Sequence, residues 1–159
     1  MEKDQILRDL LVNLLTVGNA HMSFDEAVKN YPMEYVNTYF PNGEYTAWHL
    51  LEHIRFAPND ILEFIVNPDY EDKNWPRDYW PARDAKASQE DWNRTISMYH
   101  KDRDSLVDII NDPSRDLYTP FPWGSGQNII KEIMTVSDHT AYHIGEFGIM
   151  RQVMGTWRR

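Results

Sequence analysis

The sequence predicts an all-α protein built as a four-helix bundle, and three observations carry that expectation. Four segments repeat apolar residues at helical spacing. Serine and an acidic residue three positions on stand where helices should open, at Ser23/Glu26 and Ser88/Asp91. Nowhere do polar and apolar residues alternate for long enough to build a sheet.

Each element has its own signals. Ile6, Leu7, Leu10, Leu11, Leu14 and Leu15 form an apolar stripe that runs into Gly18-Asn19. Ser23-Phe24-Asp25-Glu26 reads as a capping box that opens a short helical piece, and Pro32 and Pro41-Asn42-Gly43 punctuate the stretch after it. The second main helix spans about 46–66, with Trp48, Leu51, Leu62 and Ile65 on or near one face. Pro58 inside it should leave the Ile54 carbonyl without its donor and kink the axis. The third helix opens at Ser88 and carries Trp92, Ile96, Tyr99, Leu106, Val107 and Ile110. The fourth starts after Gly124-Ser125-Gly126, carries Ile129, Ile130, Ile133, Met134, Val136, Phe147 and Met150, and ends at Gly155. Two connections are long and aromatic, 67–87 with Trp75, Tyr79 and Trp80, and 112–126 with Phe121 and Trp123. They read either as lids over a site or as packing over the bundle ends.

The 159 residues fit one domain, 1–159, with 42% hydrophobic and 26% charged residues. Sixteen Lys+Arg against 25 Asp+Glu give a net charge of −9, which repels phosphate backbones and anionic membranes, so neither nucleic acid nor a membrane is an expected partner. The absence of cysteine removes disulfides, thiolate zinc fingers, iron–sulfur clusters and a cysteine nucleophile. With no signal pattern at the start and no apolar run of membrane-spanning length, the expected compartment is the cytoplasm. Amphipathic bundles with spare apolar face commonly pair, so a homodimer is expected.

Function points to the histidines. Of six, four form two His-x-x-x-His pairs, His49/His53 and His139/His143, on two separate helices. Residues four apart share a helix face about 5–6 Å apart, close enough for two imidazoles to meet one ion at about 2.0–2.1 Å each. A third ligand from the facing helix would leave a tetrahedral position for water or substrate. Imidazole ligands without thiolates suit zinc, nickel, iron or manganese. Glu146, one turn beyond His143, and Glu132, seven residues before His139, are candidates to orient a ligand ring or move a proton, and Glu146 is the candidate catalytic residue. Asp138 and Tyr142 should point elsewhere on the wheel, and His21 and His100 lack a partner at ligand spacing. The bland alternative is that all these histidines are bundle packing.

The stretch Asp138-His139-Thr140-Ala141-Tyr142-His143-Ile144-Gly145-Glu146, continued by Arg151 and Gly155-Thr156-Trp157, resembles the signature of the DinB-like superfamily. Trp48-His49-Leu50-Leu51-Glu52-His53-Ile54-Arg55, Asp60-Ile61-Leu62-Glu63-Phe64 and Pro122-Trp123-Gly124-Ser125-Gly126-Gln127 extend the resemblance over nearly the whole chain. It implies a four-helix bundle with a long crossover connection and one divalent metal ion, zinc or nickel first, held by His53, His139 and His143. His49 stands where the pattern requires no histidine and reads as a neighbour, a fourth ligand or a proton shuttle. Pro58 is a departure from the pattern. The resemblance further implies a metal-dependent enzyme that activates water or a low-molecular-weight thiol cosubstrate on a small molecule, as a hydrolase or a thiol S-transferase. The rival is a non-catalytic, metal-stabilised binding or stress-response bundle.

Overall fold

A computed structural model describes residues 2–157. Its helices are α1 (Glu2–Thr16), α2 (Phe24–Val28), α3 (Ala47–Val66), α4 (Gln89–Asn111) and α5 (Ile129–Val153). Among the described residues there is no strand; a single bridge pairs Tyr39 with Thr46.

Helix starts obey the capping chemistry. Ser23, Thr46 and Ser88 each accept from the backbone N–H three residues on, and Asn128 does the same for α5. At Ser23 and Ser88 the reciprocal bond comes from Glu26 and Asp91. At Thr46 it is the His49 ring that closes the box, its Nδ1 accepting from the Thr46 N–H at 3.3 Å. Gly155, at φ +65, supplies the left-handed turn that ends α5. Pro58 lies within α3 without ending it, and the helix continues to Val66. Because Thr46 is buried and its cap organises the first turn of α3, Thr46→Ala should cost about 1 kcal/mol in a urea melt of the metal-free protein.

The four long helices pack in a ring, α1 against α4 and α5, and α3 against α4 and α5. Their directions follow from the contacts. Arg8, midway along α1, is buried and donates to the carbonyls of Ile110, Asp112 and Arg115 at and just beyond the end of α4, while Leu14 and Leu15 at the end of α1 line a pocket with Tyr99 and Arg103 midway along α4, so α1 and α4 are antiparallel. The Thr95 hydroxyl, early in α4, donates to Glu52 early in α3, while Ile65 clusters with Leu106 and Ile110, so α3 and α4 run parallel. A helix of α3's 20 residues is about 30 Å long, and the chain between it and α4 must return over that length. That return is the crossover 67–88.

The core divides into two apolar clusters. One gathers Leu50, Leu51, Ile54, Trp92, Phe147 and Met150, the other Leu11, Ile65, Leu106, Ile110, Ile133 and Val136. Along α5 the second cluster ends at Val136 and the first resumes at Ile144, so His139 and His143 fall between them. The apolar stripes read from sequence are wider than the faces that pack. Leu11 and Leu15 are buried, but Ile6 and Leu10 on α1 and Met134 on α5 are more than half exposed. Among the described residues no helix is long and apolar enough to cross a membrane.

Candidate metal centre

Helices α3 and α5 bring His53, His139 and His143 together between the two apolar layers. The His53 and His143 side chains are almost wholly buried, and His139 is half-buried. The Nε2 atoms converge, His53 lying 3.0 Å from His143 and 3.1 Å from His139. Around a tetrahedral ion with bonds of 2.0–2.1 Å, neighbouring nitrogens stand about 3.3–3.4 Å apart, so movements of a few tenths of an ångström would admit one.

The outer nitrogens decide what the inner ones carry. His53 Nδ1 donates to the Tyr79 carbonyl at 2.8 Å, and His143 Nδ1 donates to the Glu146 carboxylate at 2.6 Å. In a neutral imidazole with its proton on Nδ1, Nε2 is a bare lone pair. The two Nε2 atoms therefore face each other at 3.0 Å as acceptors, an arrangement that a cation between them would satisfy. Burial pulls His53 down to about 4 and His139 to about 3, the neighbouring histidines adding to the effect, so at neutral pH both rings are uncharged. His139 Nδ1 is buried without a partner, which leaves that ring free to present Nε2 as a third ligand atom. The donor set thus fits a divalent ion of the zinc or nickel kind.

The pKa shifts set a pH dependence. A histidine held neutral by burial stabilises the fold above its ordinary value of 6.5, and that stability is lost as pH falls through its folded value. In metal-free protein, urea-unfolding free energy should fall between pH 6.5 and 4, and His139→Ala should flatten the slope.

His49 is not available as a ligand. Its Nδ1 accepts from Thr46 and its Nε2 faces the Ala85 carbonyl at 3.2 Å, so both ring nitrogens are engaged and the histidine serves the start of α3. Glu146 meets a ligand ring directly, whereas Glu132 is buried, its carboxyl raised by burial, with no hydrogen bond to any of the three histidines. Asp138 is exposed beside His139 in the chain without bonding it, and Tyr142 is exposed with its ring edge-on to His143. His21 lies at the surface, while His100 binds Asp25 at 2.7 Å and ties α4 to α2.

Only one of the two aromatic connections reaches the site. The crossover places Trp80 flat on the His53 ring, 3.8 Å between centroids and 10° between planes, with Trp75 6.2 Å away. Buried Asp60 accepts from Tyr79, Tyr70 and Lys73, at 2.7, 3.0 and 2.8 Å, which pins this segment to α3 and holds the Tyr79 carbonyl against His53. The segment 112–126 instead packs the far end, where Trp123 donates to the Phe64 carbonyl and Phe121 meets the Phe64 ring. Sequence reasoning placed Tyr79 and Trp80 in a connection that reads as a lid or as packing without assigning them to His53, and it missed Asp60 as part of the site. An aromatic-rich crossover opposite a ligand histidine was the available signal.

No protein-family model, curated protein or solved structure matches the chain.

Proposed function

We propose that this chain is a divalent-metal-dependent enzyme of the DinB-like bundle type, with His53, His139 and His143 as its ligands and a small organic molecule as its substrate. The observation that carries this reading is the convergence of the His53 and His143 Nε2 atoms, 3.0 Å apart, with burial disfavouring the charged form of His53. Three protein ligands leave a position open, whereas structural sites are closed by four, and engaged His49 cannot close this one. That favours catalysis over the non-catalytic bundle.

Zinc or nickel, with iron or manganese as alternatives, would supply Lewis acidity, lowering the pKa of water or of a thiol cosubstrate and polarising the substrate. The rest falls to the chain. Tyr79 and Glu146 fix the tautomers of His53 and His143. Trp80 covers the His53 ring and keeps water from that side. Glu146, its side chain 28% exposed, is the acid placed to hold and pass a proton beside the centre. The Tyr45 hydroxyl faces the same carboxylate, and burial, reinforced by that charge, pushes Tyr45 up to about 12, so it remains a neutral donor.

Cobalt substitution tests the chemistry. A strong sulfur-to-cobalt absorption band on adding glutathione or bacillithiol assigns the thiol S-transferase branch. Metal-dependent ester or amide cleavage without that band assigns the hydrolase branch. Metal that raises the melting temperature, with no turnover across such a panel, would replace the enzyme with the stabilised binding bundle.

A homodimer in the cytoplasm remains part of the proposal. Met134, Tyr142, Ile149 and Val153 lie exposed along α5, apolar surface that a second copy would cover. Sedimentation equilibrium at a single-chain mass over all concentrations would remove the dimer.

A further inference from the structure

Beside the histidines a cleft of about 580 Å³ opens between the loop preceding α3 and the crossover. That volume lies within the range of small-molecule sites. Its walls are largely apolar and flat, formed by Phe40, Tyr45, Trp80, Pro76 and Pro81. Tyr45 and Trp80 sit 5.3 Å apart between ring centroids, and Tyr45 meets Phe40 at 5.6 Å. The cleft shares a wall with the candidate metal centre, because the Trp80 ring that lines it is the ring stacked on His53.

One charge at this cleft stands out. Of the eight arginines among the described residues, six pair with carboxylates and Arg151 is buried against backbone carbonyls. Only the Arg83 guanidinium has no hydrogen-bond or ion-pair partner among the described residues, in a chain whose acids outnumber its bases by 25 to 16. Its backbone is held, the Tyr39 hydroxyl donating to the Arg83 carbonyl at 2.6 Å, so the side chain is presented from an anchored point. Glu44 also lines the cleft, but an unpaired acid is to be expected with that excess of acids. Its effect is to limit how much negative charge the cleft accepts, since a dianion would meet Glu44 as well as Arg83.

We propose that this cleft is a small-molecule pocket beside the histidine site and takes planar, apolar molecules carrying a single carboxylate. Arg83 anchors the carboxylate through its planar pair of donors, and the ring system lies among Phe40, Tyr45 and Trp80. The binding does not depend on the metalloenzyme reading, since none of His53, His139 and His143 lines the cleft.

The test is calorimetric titration at pH 8 with 2-naphthoate, its uncharged amide and dianionic 2-naphthyl phosphate, on wild type with zinc, Arg83→Gln with zinc, and His139→Ala. One naphthoate should bind per wild-type chain, with the amide and the phosphate at least tenfold weaker. Arg83→Gln, a change at an exposed position, should weaken naphthoate at least tenfold, and His139→Ala should keep it within about threefold. Absence of naphthoate binding to wild type, or equal binding by Arg83→Gln or by the amide, overturns the proposal. So does binding that survives Arg83→Gln and vanishes in His139→Ala, which would put the carboxylate on the histidines. Failure of the metal reading has a different mark, a wild type that takes up no zinc and still binds naphthoate.

Discussion

Glu146→Gln should weaken metal binding by about 10- to 100-fold while the protein folds as before, a loss a competing chromophoric chelator would measure. The carboxylate accepts the His143 Nδ1 proton at 2.6 Å, and that bond both turns the ring and keeps its Nε2 lone pair toward the other histidines. Glutamine keeps the length and the helix propensity of glutamate, so α5 is little disturbed. It loses the charge that favours His143 as an electron donor, and its amide can rotate to offer N–H where an acceptor is needed. An unchanged affinity would remove Glu146 from the centre and leave its contact with His143 as a surface pairing.

Zinc should stabilise the wild type strongly and the His139→Ala variant hardly at all. An ion that binds only the folded chain adds about 2.7 kcal/mol at a free concentration 100 times its Kd, or roughly 5–10 °C in melting temperature for a chain of this size. The metal-free comparison runs the other way. His139 is a half-buried imidazole with an unpartnered Nδ1, pressed against two other rings of the same cluster. Truncating it removes an unsatisfied polar group along with some packing, so metal-free His139→Ala should melt close to wild type. A variant that unfolds without zinc would make His139 a packing residue.

The helices and the histidine cluster were legible in the sequence because both obey local rules. Ser23, Thr46 and Ser88 cap the helices they head, and Gly155 follows the last one, because capping depends on neighbours within one turn. The convergence of His53 with His139 and His143 was legible from four-residue spacing together with a family-like pattern. The surroundings of the site were not. Trp80 and the Tyr79 carbonyl come from a crossover without periodicity, and its course over His53 depends on Asp60, whose partners are 10 to 19 residues away in sequence. Nor does a stripe announce which of its residues will be covered. Leu10 and Leu11 look alike in the pattern of α1, yet Leu11 is buried and Leu10 exposed. His49 shows the same limit, since its spacing to His53 suits a ligand while its two hydrogen bonds make it a cap.

The most direct measurement is metal content by plasma mass spectrometry, on protein purified without an affinity tag, for wild type, His53→Ala and His139→Ala. About one divalent metal ion per wild-type chain, lost from both variants, is the expected result. A wild type that carries no metal and cannot be reconstituted with zinc or nickel would contradict the central claim and return the three histidines to packing.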